Sequence, residues 1–235
     1  MPDSRQTLAE LVRRSRAMAR AAAAQAPGGP ADPGAMPDRL ADIAAFGPNP
    51  GALRMRVFLP DDLPAGAPLL VALHGCTQTA AGFDAGCGWS DLAAAHGFAL
   101  LLPEQRQANN PNRCFNWFEP GDTARGAGEA ESIRAMVAHL VATRGLDPAR
   151  VHVTGLSAGG AMAATMLATH PEVFAAGAII AGLPHGAAAS MPEAFEAMAS
   201  GRPRGADERA RQVRDAAPHH RRSGTPWPRV AIWHG

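Results

Sequence analysis

The chain has 235 residues, a formal net charge of +1 and 46% hydrophobic residues, which together indicate a soluble globular protein with one sizeable core. The balanced charge gives no reason to expect nucleic acid or anionic lipid as a partner, and no apolar run is long enough to span a membrane. Arginines interrupt residues 1–26 throughout, so this segment does not have the pattern of a secretory signal.

Two segments precede the main domain. Residues 1–26 are predicted to contain one basic amphipathic helix, because Leu8, Leu11 and Val12 fall on one helical face opposite arginines. Residues 27–51 are predicted to be a linker, since they are rich in Pro and Gly. The apolar face of the helix is mostly alanine, so we expect no firm membrane anchoring. The main domain is predicted to span residues 52–235.

The rest of the chain alternates between predicted strands and helices. Strands are predicted at 53–59, 69–73, 98–102, 151–154, 176–181 and 230–233. Helices are predicted at 89–96, at 129–144 and over 161–167, the last ending before Pro171. A long polar loop, 103–127, and an irregular region with one or two short helices, 184–228, separate these elements. The alternation predicts a mostly parallel, doubly wound α/β sheet that binds ligands beyond the carboxyl ends of its strands.

The segment around Ser157 carries the strongest chemical signal. A β-branched run leads into Gly155-Leu156-Ser157-Ala158-Gly159, and a small-residue helix pattern follows. Strand, tight turn and helix in this order are the context of a nucleophilic serine held above a sheet. Glycine on both sides lets the strand and the helix approach each other closely. An accidental turn is the alternative, and the flanking strand and helix favour an active-site serine over it.

From about residue 53 onward, the chain resembles the polyhydroxybutyrate (PHB) depolymerase family of esterases, a branch of the α/β-hydrolases. Six blocks carry the resemblance in the family's order: Leu73-His74-Gly75-Cys76-Thr77-Gln78, Pro103-Glu104-Gln105, Cys114-Phe115-Asn116-Trp117-Phe118, Gly155-Leu156-Ser157-Ala158-Gly159-Gly160-Ala161-Met162, Ala181-Gly182-Leu183-Pro184 and Ile232-Trp233-His234-Gly235. The resemblance implies an α/β-hydrolase fold and a serine esterase that acts on a polyester. A feruloyl or acetylxylan esterase is the alternative within the same group.

The resemblance also implies a role for individual residues. Ser157 matches the nucleophile, and the backbone N–H groups of Cys76 and Ala158 match the donors to the oxyanion. His74, Asn116 and Trp117 are expected to line the cleft.

Cys76 and Cys114 look like a disulfide pair, with two reduced thiols as the alternative. No metal and no cofactor is implied. The expected partner is an ester substrate, either a polyester or a small ester.

The general base and its carboxylate are not found by the same matching. In this fold the acid and the histidine follow the serine along the chain, and the block that carries the acid begins with His234-Gly235. The expectation is therefore a domain that is incomplete at its C-terminus. A degenerate, non-catalytic domain that binds a ligand or a partner is the alternative from another class. The resemblance favours an extracellular location, whereas the missing signal pattern favours the cytoplasm. The sequence does not decide which ester is the substrate, nor the oligomeric state.

Overall fold

A computed structural model describes residues 38–201 and 203–234. These residues form a seven-stranded sheet with the strand order β1-β2-β4-β3-β5-β6-β7. The strands are β1 (Ala41–Ile43), β2 (Arg54–Phe58), β3 (Leu69–Leu73), β4 (Ala99–Glu104), β5 (Val151–Leu156), β6 (Ala176–Ile180) and β7 (Arg229–Trp233). β1, β2 and β4 pair antiparallel, and the five strands from β4 to β7 pair parallel. The sheet is thus mostly parallel, as the alternation of elements predicts.

Helices cover both faces of the sheet. They are α1 (Ala80–Cys87), α2 (Trp89–His96), α3 (Pro120–Thr123), α4 (Gly128–Arg144), α5 (Ala158–Thr169), α6 (Met191–Ser200), α7 (Ala206–Ala216) and α8 (Pro218–Ser223). Gly97 and Gly145 end α2 and α4 in the left-handed conformation, with φ of 65° and 59°. The two helices thus end at the predicted residues 96 and 144, and a glycine follows each because it adopts positive φ without a steric penalty. No helix in the described part of the chain is long and apolar enough to cross a membrane.

The core has two layers, one on each face of the sheet. Val71 and Val153 point to one face, where Met136 of α4 and Met162 of α5 pack on them. Ala72 and Leu100 point to the other, where they meet residues of α1 and α2. Successive residues of a strand point to opposite faces, so a strand buried on both faces must be apolar throughout. This explains why β3 and β4 read as uninterrupted apolar runs.

The sheet begins earlier in the chain than the sequence predicts. β1 lies inside residues 27–51, which are predicted to be linker, and it pairs with β2. Leu40 and Phe46 are buried beside it, and Asp38 accepts a hydrogen bond from Arg56 at 2.7 Å. The described part of this segment therefore packs on the domain. A three-residue strand is too short for a periodic pattern to reveal it. The helix predicted over residues 4–26 lies outside the described residues.

Other elements also differ from their prediction. β4 continues through Pro103, which is predicted to stop it. Proline is tolerated there because β3 pairs with β4 only as far as Leu101, so one side of β4 is open at Pro103. The region 184–228 holds three helices, α6 to α8, where one or two are predicted.

Candidate active site

Ser157 occupies the turn between β5 and α5. Its backbone has φ 56° and ψ −115°, a conformation that residues other than glycine rarely adopt. The Ser157 N–H donates to the carbonyl of Ile180 at 2.9 Å, which ties the turn to the end of β6. Ser157 is exposed, whereas Ala158 and Gly159 are buried. Strand and helix together thus hold a strained serine at the carboxyl edge of the sheet.

The glycines of the motif are required by the backbone around them. A Cβ atom on Gly159 would lie 2.1 Å from the carbonyl oxygen of Leu73. The start of α5 therefore packs directly on the end of β3. Such a contact has no side chain that could move aside, so only glycine fits. The close packing brings Ala158, the first residue of α5, beside the loop that follows β3.

That loop, His74-Gly75-Cys76, borders Ser157. A Cβ atom on Gly75 would lie 3.7 Å from the Ser157 Cβ, which is ordinary van der Waals contact. The Gly75 N–H donates to Gln78 Oε1 at 2.8 Å, and the Thr77 N–H donates to the Asn112 carbonyl at 2.6 Å. Between them, the Cys76 N–H has no acceptor within the part of the chain that the structure describes. It is therefore available to a ligand.

The second N–H beside Ser157 belongs to Ala158. The first N–H groups of a helix have no carbonyl partner within it and carry a partial positive charge. Ala158 begins α5, so its N–H is such a group. Cys76 and Ala158, whose N–H groups are expected to face an oxyanion, thus border the same space as Ser157.

Cys76 and Cys114 are joined by a disulfide bond. The bond links the loop after β3 to the segment Cys114–Phe118 across 38 positions of sequence. Cys87 is free and exposed.

Ser157 opens into a small cavity of about 130 Å³. Its lining is mostly apolar and joins residues from six parts of the chain, including Cys76, Trp117, Ser157, Ala158, Leu183, Met198 and His234. Trp117 is 6% exposed and meets Phe118 edge to face, with ring centroids 5.4 Å apart. A large rigid side chain therefore forms one wall. Trp117 is thus the one of the three residues expected to line the cleft that does so.

His74 and Asn116 do not line this cavity, contrary to the sequence-based expectation. The His74 ring is buried, its Nδ1 donates to the Gly75 carbonyl at 2.8 Å, and its Nε2 accepts from the Gln105 N–H at 3.1 Å. Burial lowers the His74 pKa, so the neutral ring fits both bonds. The Asn116 side chain accepts from Asn110 at 3.0 Å and donates to Asp122 at 3.0 Å. Both residues serve the loops instead.

The histidines after Ser157 lie in different environments. His170 caps the C-terminus of α5 and is buried, and burial lowers its pKa to about 4. The His185 Nδ1 lies 3.2 Å from Thr165 Oγ1, and His220 packs against Trp227 with ring centroids 4.8 Å apart. His234 lines the Ser157 cavity. No carboxylate among the described residues lines that cavity.

Several residues of the site were not found from the sequence. Leu183 and Met198 reach the cavity from the segment after β6 and from α6, which no spacing rule places there. Leu183 belongs to a block that carries the resemblance, and that block was the only signal. Among the described residues, no three His, Cys, Asp or Glu side chains converge so that they could hold a metal ion.

Comparison with known proteins identifies the family. The family model "Esterase PHB depolymerase" matches residues 55–235. The chain belongs to this family. The PHB depolymerase model covers the Ser157 turn, the Cys76 loop and Trp117 in one match.

Two curated relatives illustrate the range of the family. The chain is 49% identical over 201 residues to poly(3-hydroxyalkanoate) depolymerase C of Paucimonas lemoignei, covering 83% of this chain and 46% of that protein. It is 35% identical over 202 residues to feruloyl esterase B of Neurospora crassa, covering 83% and 67%. The chain thus spans about half the length of the first of these relatives.

Solved structures agree with the fold. An acetyl xylan esterase from Aspergillus awamori superposes with a TM-score of 0.72 at 27% identity, covering 82% of this chain and 70% of that one. An S-formylglutathione hydrolase from Staphylococcus aureus superposes with a TM-score of 0.56 at 15% identity, covering 82% and 78%. The protein therefore has the α/β-hydrolase fold that the sequence predicts.

Proposed function

We propose that the protein is a serine esterase that hydrolyses carboxylic ester bonds, with Ser157 as its nucleophile. The observation that carries the proposal is the position of Ser157, which is exposed at a strained turn and lines one cavity together with Cys76 and Ala158. A hydroxyl held in this way reaches a bound ester carbonyl, and the two N–H groups meet the oxygen on which negative charge develops.

The proposed reaction has two steps. The Ser157 oxygen forms a bond to the ester carbonyl carbon, the hydroxyl proton passes to a general base, and the alcohol leaves with a proton. Water then attacks the acyl-serine, releases the carboxylic acid and restores the serine. In both steps the tetrahedral carbon carries an oxyanion. Each backbone donor to such an oxyanion contributes about 3 kcal/mol to transition-state stability.

The proposed substrate is a polyester of the polyhydroxyalkanoate class. The relative at 49% identity is a poly(3-hydroxyalkanoate) depolymerase, whereas the feruloyl esterase relative is at 35%. The cavity wall formed by Trp117, Leu183 and Met198 suits an aliphatic acyl chain. The second candidate is a feruloyl or acetylxylan ester, which the other relatives favour by name.

The proposed location is extracellular. The Cys76–Cys114 disulfide supports it, because disulfide bonds persist in oxidising compartments and are rare in the cytosol.

The proposal is tested by hydrolysis of p-nitrophenyl butyrate. The wild type for this test is the protein expressed with any sequence that its gene encodes after Gly235. We expect it to release p-nitrophenol, Ser157→Ala to slow the release at least about a thousandfold, and Ser200→Ala, a matched substitution on the exposed end of α6, to leave it unchanged. Clearing of a PHB film, compared with hydrolysis of methyl ferulate, then separates the two substrate classes. If the folded wild type has no activity, or if Ser157→Ala stays active, the proposed esterase function is rejected. The alternative of a non-catalytic domain that binds a ligand or a partner then remains.

A further inference from the structure

One buried carboxyl, Glu129, lies outside the cavity but contacts the loops that border it. Glu129 is in the first turn of α4 and is 1% exposed. Its Oε2 accepts from the Asn116 N–H at 2.9 Å, and its Oε1 accepts from the Gln105 side-chain amide. Two donors from two positions of the loop that follows β4 thus converge on one side chain. From Glu129, one chain of contacts leads to the Cys76 loop and a second leads to Trp117.

The first chain of contacts leads from Glu129 through Gln105 to Cys76. Gln105 Nε2 also donates to the Cys114 carbonyl at 3.1 Å, and Cys114 is joined to Cys76 by the disulfide. The Gln105 N–H donates to His74 Nε2 at 3.1 Å, and His74 Nδ1 donates to the Gly75 carbonyl at 2.8 Å. Gln105 therefore holds the Cys76 loop from two sides, and Glu129 holds Gln105.

The second chain of contacts leads from Glu129 to Trp117. Glu129 accepts a hydrogen bond from the N–H group of Asn116, the residue directly before Trp117. The Asn116 side chain is held by Asn110 and Asp122, each at 3.0 Å. The peptide that carries the Trp117 ring is thus fixed at its backbone and at the neighbouring side chain.

We infer that Glu129 is a positioning residue, which holds the Cys76 N–H and the Trp117 ring in place against Ser157 through Gln105 and Asn116. The inference rests on the proposed function, because it gives Glu129 a part in the geometry of the oxyanion site. Glu129 does not touch the substrate.

The geometry requires a carboxylate rather than an amide. An ionised carboxylate offers an acceptor oxygen to each of the two donors, whereas a glutamine would turn an N–H₂ group toward one of them. Gln105 cannot rotate to compensate, because its own oxygen accepts from the Arg106 N–H at 3.0 Å and from Asn109 at 2.9 Å. Glu129→Gln therefore leaves one buried donor without a partner, which weakens the contact with either Gln105 or Asn116.

The test compares Glu129→Gln with a control on the same helix turn. Glu131 is bonded to Arg134 and contacts neither loop, so Glu131→Gln is the matched control. Burial raises the pKa of Glu129 to about 8, so the measurements are made at pH 9, above this pKa, where the carboxyl is ionised. The first readout is hydrogen–deuterium exchange of the Thr77 and Gln78 amides, which belong to the Cys76 loop and do not touch Glu129. We expect exchange at least about fivefold faster in Glu129→Gln, and unchanged in Glu131→Gln.

The second readout is the rate of p-nitrophenyl butyrate hydrolysis. A displaced oxyanion donor weakens binding of the transition state and not of the ester. We therefore expect Glu129→Gln to lower kcat about tenfold with KM changed less than about threefold. Gln105→Leu, which keeps a similar volume and removes all four hydrogen bonds of the Gln105 side chain, is expected to act in the same direction. It provides the test should Glu129→Gln fail to fold.

The outcomes separate the two proposals. If Glu129→Gln and Gln105→Leu leave both exchange and kcat as in the wild type, the inference is wrong while the esterase stands. If exchange accelerates but kcat stays constant, the assigned effect on the oxyanion site is wrong. If the wild type is inactive and exchange at Thr77 still accelerates, the hold of Glu129 on the Cys76 loop is supported and the proposed esterase alone is rejected.

Discussion

A Cβ atom on Gly155 would lie 2.1 Å from the carbonyl oxygen of Gly159. The end of β5 and the first turn of α5 are therefore in backbone contact, and Ser157 lies between them. The position of the serine thus depends on the absence of a side chain at Gly155.

Gly155→Ala is expected to destabilise the protein by on the order of 3 kcal/mol, because the added methyl group meets backbone that cannot move aside. The control is Gly86→Ala in α1, where a Cβ atom meets nothing within 4 Å. That substitution is expected to stabilise by about 0.5–1 kcal/mol, since alanine is the better helix former. Urea unfolding measures both. Equal midpoints of urea unfolding for the two variants would show that position 155 tolerates a side chain.

Ser157→Gly is expected to raise stability and abolish activity. The positive φ of 56° at Ser157 is unfavourable for serine by about 1 kcal/mol and neutral for glycine. Ser157→Ala removes the same hydroxyl and keeps the strained backbone, so it is the reference. Thermal unfolding should place the glycine variant above the alanine variant. If the two unfold together, the turn is not strained as the structure describes it.

The Cys76–Cys114 bond is expected to contribute about 4 kcal/mol to the free energy of unfolding, because it closes a long loop in the unfolded chain. Cys114→Ala should lose this contribution, whereas Cys87→Ala, at the free and exposed cysteine, should change stability little. Unfolding curves with and without a reductant measure both. A wild type that unfolds at the same urea concentration in either condition would argue against the bond.

Glu129 is expected to make stability fall as pH rises. Burial and the nearby Asp122 raise its pKa from 4.5 to about 8, so between these values the folded state binds more protons than the unfolded state. The free energy of unfolding then decreases with pH across this window. Its contribution is fully present below pH 4.5 and is lost as pH rises through about 8. Unfolding at pH 5, 7 and 9 should show a steeper fall in wild type than in Glu129→Gln, and parallel curves would contradict the raised pKa.

The sequence predicts the central strands well and the edge of the sheet poorly. The bounds of β3, 69–73, are those expected, because a strand buried on both faces is apolar at every position. β1 was missed, since three residues are too few for a periodic pattern to reveal a strand. α1 was missed as well, because its eight residues carry no strong apolar stripe.

The same distinction holds for the site. A local motif places Ser157 and Ala158, and the resemblance adds Cys76 and Trp117, all of which line the cavity. The role of His74 and Asn116 could not be predicted, because a block of sequence does not tell which way a side chain turns. Met198 and Glu129 act through contacts between distant parts of the chain, which only the folded structure brings together.

The account depends most directly on Ser157 as the nucleophile, and covalent labelling tests this in one measurement. The folded protein is treated with an aryl phosphonate, which reacts with activated serines, and the modified peptide is located by mass spectrometry. The account predicts that the phosphonate is attached to Ser157 and that Ser157→Ala takes up none. Labelling of another serine, or none at Ser157 in the folded wild type, would contradict it.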